Sequence, residues 1–121
     1  MADYRDDPPV TFGQVLRDLR RARRLTQRDL AATVGIDFTY LSKLENDRDA
    51  PPGDDTIRRL AAALGTDSEH LLAAAGKVPP ELKRRATKDP RFAMLLRRLA
   101  DLPNDRLDDV YKDAGVPPEA E

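Results

Sequence analysis

"LTQRDLAATVGIDFTYLSKLEN", residues 25–46, carries one long run of helically spaced apolar residues broken once, at Gly35. The flanking residues decide whether this is one flawed helix or two. Thr26 suits an N-cap, Asp29 places an acid in the first turn, and Leu30, Ala31 and Val34 share an inward face. Glycine immediately beyond such a segment is the usual left-handed terminator. Ile36 is then apolar, Asp37 can cap a second helix, and Leu41 and Leu44 bury one face of it. Phe38, Thr39, Ser42 and Lys43 are left outward or at its edge. The stretch is two short helices joined by a tight turn.

The same signals recur on both sides. Upstream, Thr11 with Gln14 three residues on and Val10 just outside predicts a capping box with a staple to Val15. The helix that follows carries Phe12, Leu16, Leu19 and Ala22 as its apolar stripe and ends near Arg24. Downstream, "NDRDAPPGDD" is a loop; Gly53 caps a helix with Asp54 and Asp55 in its first turn. Ile57, Leu60, Ala61 and Leu64 face inward before Gly65, and Asp67 opens a fifth helix bearing Leu71 and Leu72 and closed by Gly76. Five short helices therefore fill residues 11–76. Residues 1–10 read as a flexible arm, 77–89 as a linker with a weak helix introduced by "KVPP", and 116–121 as a disordered tail. Between them, residues 90–115 hold a helical hairpin: Asp89-Pro90 opens one helix, with Phe92, Leu95, Leu96 and Leu99, and a second carries Leu107, Val110 and Tyr111. Such a pair buries too little to stand alone, so its apolar face needs its own domain, a second copy or another protein.

Composition narrows the function. With 121 residues, 40% of them hydrophobic and 36% charged, the chain suits one compact all-helical domain plus an appendage, and no alternating run suggests a strand. No cysteine is present and the single histidine is His70, so a zinc site or a Cys/His nucleophile has nothing to be built from, and no cofactor is implied. The acidic start "MADYRDDPP" does not read as a secretory signal and no apolar run spans a bilayer, so a cytoplasmic location is expected. Net charge is -1, yet Arg17, Arg20, Arg21, Arg23, Arg24 and Arg28 face only Asp18 in their stretch, a local basic surface. Most of these arginines read as a solvated face. Asp108 and Asp109, like Asp54 and Asp55, fit helix surfaces better than an acid/base pair.

A short helix, a glycine turn and a second helix with mixed outward residues is the geometry that places one helix in the DNA major groove. Small Ala31 allows the close crossing. With Gln27, Ala31, Ile36, Leu41 and Glu45 in register, "TQRDLAATVGIDFTYLSKLEN" resembles the XRE family of Cro/cI-type bacterial and phage regulators, and the order and spacing of all five helices match. The resemblance implies the five-helix lambda-repressor-like fold and roles for matching positions. Phe38, Thr39, Ser42 and Lys43 correspond to base readers, and Gln27, Arg28, Arg17, Tyr40, Asn46 and Arg48 to phosphate contacts. Arg20 and Glu45 correspond to a structural ion pair. Phe38 stands where a polar residue is usual, so it reads equally as a packing residue or as an apolar base contact. Four aspartates in the loop after the second helix would repel phosphates unless turned away.

These readings point to a non-enzymatic, sequence-specific DNA-binding regulator. The expected form is a homodimeric repressor that occludes a promoter at a palindromic operator, with half-sites roughly 34 Å apart. Phe92, Leu95, Leu96, Leu99, Leu107, Val110 and Tyr111 would form its dimer or partner interface. A toxin, a peptidase or an antirepressor acting on that segment is an expected kind of regulatory partner. The competing reading is a protein-interaction module whose leucine-rich C-terminal helices bind a toxin or a polymerase subunit.

Overall fold

A computed structural model describes residues 10–117, and all its regular elements are α-helices: α1 (Phe12–Ala22), α2 (Gln27–Val34), α3 (Phe38–Glu45), α4 (Asp54–Leu64), α5 (Ser68–Ala74), α6 (Pro80–Lys88), α7 (Pro90–Ala100) and α8 (Asn104–Asp113). Of the arm expected over residues 1–10 only Val10, and of the tail expected over 116–121 only Val116 and Pro117, fall within the described residues. Among the described residues no helix is long and apolar enough to cross a membrane. The chain divides near residue 78 into two units.

In the first unit, α1 to α5 close around one core. Leu16 of α1, Leu30, Ala31 and Val34 of α2, Leu41 and Leu44 of α3, Ile57, Leu60, Ala61 and Leu64 of α4, and Leu71 of α5 are all buried. Each helix supplies residues at helical spacing, so a single apolar stripe per helix suffices to fill the interior. Phe12 joins them from the start of α1. α2 and α3 pack on one another, α1 packs on α3 and α5, and α4 packs on α2 and α5. Ala22, expected on the α1 stripe, is exposed because the helix ends there and Arg24 turns the chain at φ 58°. Val10, expected to staple Val15, is 61% exposed, while Val15 packs against the core.

The turn between α2 and α3 follows from local chemistry. Thr26 and Asp29 form a capping box: the Thr26 hydroxyl accepts from the Asp29 amide at 3.0 Å, and the Asp29 carboxylate accepts from the Thr26 amide at 3.5 Å. Gly35 sits at φ 80° and the Ala31 carbonyl accepts from the amides of both Gly35 and Ile36, at 2.8 and 3.0 Å. A left-handed residue with a side chain would cost roughly 1–2 kcal/mol there. Asp37 then accepts from the Thr39 amide at 3.1 Å and starts α3.

The second unit holds α6, α7 and α8. The stretch expected to be a linker with a weak helix is α6, a nine-residue helix that packs on α7, with the Arg85 guanidinium 4.7 Å from the centre of the Phe92 ring. No residue of these three helices is fully buried; Phe92, Leu96, Leu99, Leu107 and Val110 are half-buried, whereas Met94 and Leu95 are 57% and 50% exposed. Tyr111 is 41% exposed.

Candidate nucleic-acid interface

The inner face of α3 is locked before its outer face can be used. Leu41 and Leu44 are buried in the core, and Glu45, at the last turn, has a side chain with no exposure at all. A carboxylate in such a position costs several kcal/mol unless its lone pairs are filled. They are filled from two other helices. Arg20 of α1 donates through Nε to Oε2 at 2.7 Å and through Nη2 to Oε1 at 3.0 Å, a bidentate pair. Gln27 of α2 donates through Nε2 to Oε1 at 3.0 Å, and Arg17 Nε stands 3.7 Å from the same oxygen. Arg20 also donates to the Leu25 carbonyl at 2.8 Å, tying in the α1–α2 link. Glu45 therefore joins α1, α2 and α3 at one point. Burial and bidentate geometry are what distinguish this pair from the exposed Arg84–Glu81 contact, where both side chains are 68% exposed.

The outward residues of α3 form a short patch. Phe38 and Thr39 in the first turn and Lys43 in the last are exposed, and Ser42 is half-buried between them. An alternation of locked and free residues follows from the 3.6-residue period, which turns positions 41, 44 and 45 inward together and 38, 39 and 43 away from them. Lys43 and Arg48, on the chain just beyond α3, add positive charge with no ion pair among the described residues. Arg28 of α2 lies over Phe38, its guanidinium carbon 4.6 Å from the ring centre.

Several side chains expected to meet phosphate also make bonds within the fold. Arg17 donates to the Asn46 side-chain oxygen at 2.6 Å and to the Glu45 carbonyl at 3.2 Å. Asn46 in turn donates to the Ser42 carbonyl at 2.9 Å, so both ends of its amide serve the C-terminus of α3. Gln27 spends a donor on Glu45, and Tyr40 is partly buried against the core. The bonds to Glu45 satisfy a group that folding has buried, whereas those of Asn46 close the exposed end of α3. At the start of α2 the backbone amides of Gln27 and Arg28 make no hydrogen bond among the described residues. An amide pair at a helix N-terminus favours an anion.

Two tertiary links give no local sequence signal. Asp47, held at φ 56°, accepts from the Gly13 amide at 3.1 Å and from the Thr11 hydroxyl at 2.7 Å, and so caps α1 across 34 residues. This also removes one loop aspartate from the question of repulsion. Asp54 and Asp55 lie in the first turn of α4, where the helix end favours them. Arg59 of α4 donates to the Val34 carbonyl at 3.1 Å, filling an end group of α2.

The comparisons with known proteins agree with this geometry. Residues 11–75 match a helix-turn-helix domain family. An HTH-type transcriptional regulator of Bacillus subtilis (strain 168), RghRB, is 47% identical over 79 residues, 64% of this chain and 57% of that protein. The chain thus matches a little over half the length of that relative. The HTH-type transcriptional repressor RghR of the same organism is 33% identical over 103 residues, 79% of this chain and 76% of its own. Among solved structures, the complex of SinR with SinI matches 87% of this chain and 95% of the solved chain at 18% identity, with a TM-score of 0.50, a likeness of fold. With more than half its length in the matched domain, the chain belongs to the helix-turn-helix family of XRE-type regulators, a DNA-binding and non-enzymatic family.

Proposed function

We propose that this protein is a sequence-specific repressor that binds DNA as a homodimer. The observation that carries the reading is the division of α3: Leu41, Leu44 and Glu45 are buried and bonded, while Phe38, Thr39 and Lys43 are exposed on a helix that its neighbours hold still. Rigid presentation is what a groove-reading helix needs, because each base contact depends on side-chain placement within a fraction of an ångström. Thr39, Ser42 and Lys43 would read base edges, and the start of α2 would meet a phosphate through the Gln27 and Arg28 amides. Arg48 would add a backbone contact. In two copies related by a two-fold axis, the recognition helices would occupy major grooves one turn apart, roughly 34 Å, on a palindromic operator, and occupancy would exclude polymerase from a promoter.

Dimerisation would fall to the second unit, where Leu95 and Met94 are half or more exposed on a helix with no fully buried residue. The same exposed face supports the second reading, in which another protein occupies it and regulates the dimer. Selection of bound fragments from random double-stranded DNA by the full chain at physiological salt tests the proposal. Enrichment of a palindrome is expected. A lone half-site would remove the dimer, and no enrichment in the presence of competent, folded protein would overturn DNA reading.

A further inference from the structure

Arg28 corresponds by position to a phosphate contact, yet its surroundings suit a different task. Its guanidinium lies over the face of Phe38, 4.6 Å from the ring centre, and Phe38 is the first residue of α3. The N-terminal residues of a recognition helix are the ones that meet base edges. Arg28 is thus carried on a platform at the base-reading end of α3 rather than extended along the flank of α2.

Three features define what such a group can bind. First, the guanidinium makes no hydrogen bond or ion pair among the described residues, so its donors are unspent. Second, the guanidinium carbon lies over the aromatic ring, and the guanidinium is itself a flat fork of N–H donors. Third, both side chains are solvent-exposed, Phe38 by 37%, so the fork is open to an incoming ligand. A flat fork of paired donors matches two adjacent acceptors. In the major groove only guanine offers that pair on one base, O6 and N7. The ring also limits the rotamers of a long side chain, which reduces the entropy lost on contact. It explains an aromatic residue at a position where a polar one would make its own base contact.

We propose that Arg28 is a guanine-reading residue of this protein and that Phe38 is its positioning residue. The inference rests on the DNA-reading proposal above and assigns one base within each half-site. The test uses the full chain and the sequence that it selects. Binding of the parent, Arg28→Ala, Phe38→Ala and the double variant is measured on that site and on versions with each guanine of a half-site replaced in turn, across a salt series. Both residues are exposed, and thermal unfolding by circular dichroism verifies that the variants stay folded.

For Arg28→Ala the expected result is a loss of roughly tenfold or more on the selected site, but little loss on the version lacking one particular guanine. Phe38→Ala should weaken preference at that same position, and the double variant should lose no more there than Arg28→Ala alone, because the two act as one device. A uniform loss over all sites, with a salt slope lower by about one, would make Arg28 a phosphate contact and overturn the assignment. Unchanged binding by Arg28→Ala would overturn it as well, as would a Phe38→Ala variant that keeps the full guanine preference. If the parent itself selects no sequence, the DNA-reading proposal falls and this one with it; a parent that selects a site that both variants keep refutes this inference alone.

Discussion

Glu45→Ala isolates the contact on which the presentation of α3 depends. The carboxylate has no exposed surface, and the side chain of its main partner, Arg20, is 11% exposed. Truncation would remove both acceptors of the bidentate pair and the acceptor of Gln27 Nε2. Arg20 would keep its bond to the Leu25 carbonyl, but two charged donors would face a cavity. Removing one partner of a buried pair costs about 3–5 kcal/mol, chiefly through the charge left behind. For a domain of this size each kcal/mol moves the melting temperature by about 4–8 °C, so a fall of at least about 12 °C is expected. Urea titration followed by circular dichroism measures the loss, and amide exchange at Leu41 and Leu44 localises it to the first unit. Replacing both partners, Arg20→Met with Glu45→Leu, should recover a large part of the stability, since the one charge left nearby, Arg17, is 32% exposed and can be solvated. A Glu45→Ala protein within about 1 kcal/mol of the parent would refute the reasoning and make the pair an incidental contact.

Other perturbations separate folding from reading. Gly13→Ala would drive a Cβ into the carbonyls of Leu44 and Glu45 and the Asp47 carboxylate; despite a gain in helix propensity of about 1 kcal/mol, a net loss of about 1–2 kcal/mol is expected by urea titration. Asp47→Ala should cost about 1 kcal/mol by uncapping α1, and a parent-like midpoint would show the Gly13 and Thr11 bonds to be idle. Lys43→Ala, an exposed change, should leave stability within about 0.5 kcal/mol while weakening DNA binding in a fluorescence-anisotropy titration; unchanged affinity would remove it from the interface. Sedimentation of residues 1–78 beside the full chain should show a monomer and a dimer, and a dimeric shortened chain would move the interface out of the second unit.

Much of this architecture is legible along the chain because its signals are local. Thr26, Asp29, Gly35 and Asp37 delimit α2 and α3 through groups at most a few residues apart, and the apolar period states which faces meet. The helix order and the division of α3 into inner and outer positions follow from the same two rules. Periodicity was a weaker guide beyond residue 77, where α6 forms and packs on α7 although its stretch is dominated by charge and carries few apolar residues. What the sequence alone determined is thus the order of the helices and, for α1 to α5, the stripe that each buries.

Tertiary structure decided which polar side chains remain free. Arg17, Gln27 and Asn46 each suit a phosphate by type and position, yet all three are drawn into the bonds around Glu45 and the end of α3. Asp47, which reads as one more acid in a loop, is the cap of a helix 34 residues earlier. Arg28 and Phe38 are ten residues apart on different helices, and only the crossing of α2 and α3 lays one over the other. The physical reason is common to these cases. A side chain's partner is set by distance in space, which for residues far apart in sequence exists only once the chain has folded; where the group is buried, as at Glu45, leaving it unfilled is also costly.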